Sequence, residues 1–204
     1  MEFFYFQYVM EESDTAVRVC DEWIRSYPKD SIPHSLLGSI SLDLGKFDKA
    51  AQEYQQALRL GTDTPYSGAM VAYLRLGKFD EAKAMYDAAR SHNLDSDFLR
   101  LARDTLAFLE GDDRTIQQQL DWAKGKPGYE DTLLNAQSEI EAYHGHIVKA
   151  RDLEQQAKSA TAAADEKERA AEFDADSAWR ESEIGNSILT RRFCEASLGR
   201  QQLS

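Results

Sequence analysis

The sequence predicts an all-α solenoid of antiparallel helix hairpins, and three observations lead there. Residues 45–50 read GKFDKA, and residues 77–82 read GKFDEA, 32 positions later. Each copy is followed by Tyr and Ala at helical spacing: Tyr54 with Ala57, then Tyr86 with Ala89. Glycines recur at intervals of 34 residues, at Gly77, Gly111 and Gly145. One hairpin of this length cannot bury its own apolar face, so it must stack on the next.

A single repeat domain over residues 1–204 follows, beginning with a truncated hairpin at 1–28. Its opening, MEFFYFQYVM, lacks the basic front and small-residue cleavage site of a signal peptide. It is read as a helix packing Phe3, Phe4, Phe6 and Tyr8 on its neighbour. The neighbour runs from Asp14 to Tyr27 with Val17, Cys20, Trp23 and Ile24 inward, and Pro28 stops it. A chain that starts inside the repeat register points to a piece of a longer protein.

The first full hairpin spans 31–60. Ile32, Leu36, Leu37, Ile40 and Leu44 make a stripe of helical period. Ser31 is placed as the N-cap, and Gly45 ends the helix as a residue that adopts positive φ without strain. Phe47, Ala50, Ala51, Tyr54, Ala57 and Leu58 form the facing stripe. Gly38 and Ala50 are small enough for close helix approach, and Tyr54 is expected to fill the space between neighbouring pairs.

The next hairpin, 63–92, opens at Thr64-Pro65, with proline at the first helical position. Hairpin 97–124 carries Phe98, Leu101, Leu106 and Leu109 as its apolar residues and a packed Trp122. GKPG at 125–128 is a turn. It lacks the spacing and the Ser or Thr of a phosphate-binding loop. Hairpin 131–164 turns at Gly145 and ends in ATAAA, a strong helix former with little core to bury. A longer partial hairpin covers 165–204. Its acidic stretch from Asp165 to Glu183 is read as a solvated helix face anchored by Phe173, Trp179 and Ile184, and its polar tail as a frayed end.

The positions Leu37-Gly38, Gly45, Ala50, Tyr54 and Ala57, repeated through Tyr73, Gly77, Ala82, Tyr86 and Ala89, resemble the tetratricopeptide repeat (TPR). The second copy departs where the family favours glycine, because Met70 stands there, and Gly61-Thr62 replaces the usual closing proline. The resemblance implies a right-handed superhelical solenoid whose first helices line a concave, partner-binding face. On that reading the face comprises Ser35, Ser39, Leu42 and Asp43; Ser67, Val71, Leu74 and Arg75; Leu101, Thr105 and Phe108; and Asn135, Glu139 and Tyr143. Members of the family that bind chaperones hold a C-terminal carboxylate with Lys and Asn. Here Ser35, Ser39 and Gly68 stand at those places, which argues against that use.

A narrower likeness rests on AFLEG at 107–111, QLDWA at 119–123 with GKPG after it, AYHG at 142–145, and Lys149-Ala150-Arg151. These are similar to the TPR regions of acidobacterial-type signalling proteins, in which a Ser/Thr kinase or winged-helix domain precedes the repeats. The kinase signatures themselves are missing here, so the likeness implies a scaffolding or sensory half and no catalytic residue.

No constellation of catalytic residues emerges, and the chain is read as not an enzyme. His144-Gly145-His146 flanks a hairpin turn without a third ligand nearby in sequence, and His34 and His92 are isolated. Neither a metal nor a cofactor is expected. Cys20 and Cys194 stand at opposite ends and are both read as buried thiols. The formal net charge of −12 disfavours nucleic acid and anionic membranes. No apolar run is long enough to insert in a membrane, and a soluble protein is expected, in the cytoplasm ahead of other compartments. The expected partner is a protein or peptide bound as an extended or helical segment. A small-ligand pocket near Phe108, Glu139 and Tyr143 is the alternative, and a structural spacer or a homodimer formed through an uncapped end is a third reading.

Overall fold

The computed structural model describes residues 13–62, 65–163 and 167–201. The aromatic opening at 1–10, Thr64 and the last residues of the tail lie outside them. Among the described residues there are eleven helices and no strand. In chain order they are α1 (Ser13–Ser26), α2 (Ile32–Asp43), α3 (Phe47–Arg59), α4 (Tyr66–Arg75), α5 (Phe79–Ser91), α6 (Asp97–Glu110), α7 (Asp113–Ala123), α8 (Glu130–Tyr143), α9 (Ile147–Ala163), α10 (Lys167–Glu183) and α11 (Ser187–Gln201). The chain divides into two compact units, the first ending at Leu106 and the second starting at Ala107, within α6.

The hairpin turns share one backbone solution. Gly45 sits at φ 69°. Its N–H donates to Leu42 O at 3.0 Å, while the Lys46 N–H reaches back to Ser41 O at 2.7 Å. This pair of bonds satisfies carbonyls that the helix end would otherwise leave open, and it requires a residue free to adopt positive φ. The same two bonds recur at Gly77, Gly111, Gly145 and Gly185. The sequence period is therefore the period of one capping motif. N-termini are less regular. Ser31 makes no side-chain cap, and Asp30 takes its place by accepting from the Ile32 N–H at 3.0 Å. Asp112 caps α7 by accepting from the Thr115 N–H at 3.1 Å.

In the first unit α2/α3 and α4/α5 stack around an apolar interior. Ala50, Ala57, Ala69, Met70, Ala72, Ala82 and Ala89 are fully buried and are joined by Leu99, Ala102 and Leu106 of α6. A smaller cluster joins Ala16 and Cys20 of α1 to Leu37 and Ile40 of α2. The inward face of α6 is thus Leu99–Ala102–Leu106, whereas Phe98 is 70% exposed and Leu109 48%. Trp23 is only half-buried, and its indole N–H donates to Asp30 at 3.0 Å.

The interior of the second unit is of a different kind. Alanines at 150, 157, 170, 171 and 178 are buried beside Phe173, but so are Glu154, Lys158, Asp174, Arg180 and Glu181. The acidic stretch is therefore not simply a solvated face, because its inward side carries buried ion pairs. Of its expected anchors only Phe173 is buried; Trp179 is 72% and Ile184 47% exposed. The last helix runs to Gln201, and the rest of the polar tail expected to fray lies outside the described residues. Cys20 is buried as expected, but Cys194 is exposed.

Tyr54 holds the first two full hairpins together. A Cβ placed on Gly38 of α2 would lie 2.6 Å from its ring, and one on Gly68 of α4 would lie 2.5 Å from it. The ring is wedged between two backbones and cannot retreat from one without striking the other. Gly38→Ala and Gly68→Ala should each lower stability by up to about 2 kcal/mol in urea titrations, because overpacking of about 1–3 kcal/mol is only partly offset by the roughly 1 kcal/mol gained in helix propensity. Unchanged midpoints would mean that the ring relaxes freely.

Candidate interaction surfaces

In the first unit the expected face draws on α2, α4 and the part of α6 up to Leu106. None of its residues is buried. Ser35, Ser39, Leu42, Ser67, Val71, Leu74 and Leu101 are half-buried, and Asp43, Arg75 and Thr105 are exposed. Leu42, Val71 and Leu74 rest against the apolar interior, so their remaining surface is held in place by packing. The Thr105 hydroxyl donates back to Leu101 O at 2.9 Å, which fixes its rotamer. Rigid, half-exposed leucines beside short hydroxyls can take an apolar side chain and a peptide backbone together.

The second unit brings its four expected residues into contact with other side chains. Phe108 meets Tyr143 edge to face at 5.5 Å between ring centres. Glu139 is ion-paired with Arg180 at 2.6 Å, and the Asn135 amide donates to Asp176 at 3.3 Å. Arg180 also pairs with Glu154, which in turn pairs with Lys158; the ammonium of Lys158 lies 2.6 Å from Asp174. Arg151 grips the fully buried Glu181 through two bonds of 2.7 Å. This bidentate contact holds the Glu181 carboxyl below the usual range, and Lys149 does the same for Glu141 from 2.6 Å.

Asp104 stands apart from those pairs. It is 2% exposed, its Oδ1 has no hydrogen-bond partner, and burial pushes its carboxyl up to about 7. His34, isolated in sequence, lies 2.8 Å from Glu53 of α3. His146 pairs with Glu141 at 2.7 Å, and the ring centres of His144 and His146 are 6.1 Å apart. Among the described residues no group of three or more His, Cys, Asp or Glu could hold a metal ion.

A cavity of about 810 Å³ opens in the second unit between α7 on one side and α8 and α9 on the other. Phe108 lines it, but Glu139 and Tyr143 do not. Its walls come from the second helices of the hairpins, α7 and α9, and from the back of α8. Sequence reasoning did not find it. Its residues, among them Leu134, Gln137 and Leu153, carry no pattern that separates a gap from ordinary packing.

Comparison with known proteins agrees with this geometry. A family model of the tetratricopeptide repeat matches residues 34–60, essentially α2 and α3. The chain superposes on a chain of the APC/C hetero-tetramer Cut9–Hcn1 with a TM-score of 0.64 and 16% identity, covering 99% of this chain and 39% of that one. It superposes equally well, at 0.64 and 16% identity, on a tetratricopeptide repeat protein from Parabacteroides merdae, over 94% of this chain and 80% of that one. The type IV pilus biogenesis factor PilW gives 0.62 at 15% identity, over 93% and 85%. No curated protein matches in sequence. The fold is that of tetratricopeptide repeat solenoids. No helix among the described residues is long and apolar enough to cross a membrane.

The charge arrangement sets the response to pH. Glu181 and Glu141 have lowered carboxyls, so their contribution to stability is present above the ordinary carboxylate range and is lost as the pH falls through their folded values. Asp104 has the opposite sign. Its contribution is complete below the unfolded pKa of about 4 and is lost as the pH rises through about 7. Asp104→Asn should abolish the decline in melting temperature as the pH rises from about 4 to about 7 while leaving the acid decline in place. A parallel decline over that range in wild type and variant would assign that limb to another group.

Proposed function

We propose that this chain is a non-catalytic interaction scaffold that binds a peptide or partner helix on the first helices of its hairpins. The observation that carries the reading is the row Leu42, Val71, Leu74 and Leu101, which is half-exposed beside Ser35, Ser39, Ser67 and Thr105 in a unit with a packed apolar interior. Apolar surface left open over a packed core is the usual mark of a recognition surface. Asp43 and Arg75 at its margin offer charges of both signs for orienting a segment. Phe108, Asn135, Glu139 and Tyr143 extend the same reading to the second unit.

Leu74→Asp with Leu101→Asp, and separately Phe108→Ser, test the proposal. With helicity and melting unchanged, loss of partner capture by at least tenfold is expected, since about 1.4 kcal/mol corresponds to a factor of ten. Full capture by a folded double variant would remove this face from consideration.

We also infer that the chain is one module of a larger bacterial signalling protein, which the likeness at AFLEG, QLDWA and AYHG supports. An antibody to this domain should detect a native species much larger than 23.1 kDa in source cells. A band at the size of the chain itself would instead identify a free-standing adaptor.

A further inference from the structure

Of the face residues expected in the second unit, only Phe108 lines the cavity there. The cavity lies between α7 and α9, the second helices of successive hairpins, with the back of α8 as its floor. Ile116 and Leu120 face it from α7, Leu134 from α8 and Leu153 from α9. A smaller cavity of about 390 Å³ shares Glu130, Leu134 and Gln156 with it and continues along α9 to Ala160. Together they follow α9 from Lys149 to Ala160, roughly 16 Å at 1.5 Å per residue. That is the length of about three turns of helix.

Two features of the lining specify what would fit. The first is Gln137. It faces the cavity from α8, is only 9% exposed, and its side-chain oxygen is buried without a hydrogen-bond partner. An orphan acceptor of this kind is costly to bury, and a donor brought in from outside would relieve it. The second is charge. Glu141 is paired within the chain with the Lys149 ammonium and hydrogen-bonded to His146. Asp113, Asp121 and Glu130 remain along the edge against Lys124. The rim is therefore acidic, and its apolar walls are aliphatic apart from Phe108.

We propose that this channel is a second binding site that takes an amphipathic helix of a partner protein, apolar on one face and carrying lysine or arginine beside it. Such a helix would lie between α7 and α9. It would set aliphatic residues at i, i+3 or i+4, and i+7 against Leu120, Leu134 and Leu153, hold its cations at Asp113 and Asp121, and give a donor to Gln137. Of the scaffold residues it shares only Phe108, and the row that carries that reading, Leu42, Val71, Leu74 and Leu101, is in the first unit, so either can fail alone.

The test is a displayed library of random peptides of about twelve residues, selected on the whole chain. Enriched peptides should combine helical spacing of aliphatic residues with net positive charge. Each should bind at least tenfold more weakly to Asp121→Lys and to Gln137→Leu, and as well as before to Leu74→Asp. Asp121 is exposed, so its variant keeps the fold. Gln137→Leu should melt no lower than wild type, because it removes the orphan acceptor. Three results would overturn the proposal: enrichment of neutral or acidic peptides, equal binding to wild type and both channel variants, or no enrichment over bait-free selection. Enrichment confined to peptides lost on Leu74→Asp would also sink the channel while supporting the first face.

Discussion

The packing of the first unit turns on one ring between two glycines. Tyr54 sits where Gly38 and Gly68 leave no side chain, with each potential Cβ closer than 3 Å to its atoms. A helix pair of this length has too little apolar surface to be stable alone, and the ring lets the first hairpin share its interior with the second. The alanines around it, at 50, 57, 69, 72 and 82, are all fully buried. They bring the helices close enough for backbone and ring to meet. Enlarging any one of these positions would be felt across the hairpin boundary.

The second unit uses charge where the first uses apolar contact. Removing ions from water is expensive and is repaid only when every charge finds a partner. The Arg180, Glu154, Lys158 and Asp174 chain satisfies most of that requirement, although Arg180 Nε remains without a hydrogen-bond partner. Directional pairs fix α10 against α8 and α9 in one arrangement, whereas aliphatic contacts would tolerate several. The same economy of apolar material leaves the gap between α7 and α9. A row of short and polar side chains, Gln137, Gln156 and Ser159 among them, does not close it.

These two styles of interior suit two kinds of surface. In the first unit the closed core holds Leu42, Val71 and Leu74 rigidly at half exposure, which lowers the ordering cost of binding a segment against them. In the second unit the residues expected to face a ligand are partly committed to side chains of α10, with Glu139 on Arg180 and Asn135 on Asp176. Opportunity for binding shifts there from the front of the first helices to the back, where an acceptor lies buried without a donor.

The sequence by itself determined the helices and their turns. Those depend on local chemistry, and a glycine at positive φ with two back-directed hydrogen bonds leaves a signature at every hairpin, from Gly45 to Gly185. It also marked Gly38 as a place of close helix approach and Tyr54 as a filler between neighbouring pairs, but that the ring meets Gly38 and Gly68 was decided by the tertiary structure. Tertiary structure alone decided which side of a mixed helix turns inward. On α6 the choice fell on Leu99, Ala102 and Leu106 over Phe98 and Leu109. On α10 it buried Asp174, Arg180 and Glu181 and exposed Trp179. The buried charges of α10 find their partners on another helix, and Arg151 and Glu154 come from α9, up to 30 residues away. The cavity is decided at that level as well, since a void belongs to the space between helices and to no residue in particular.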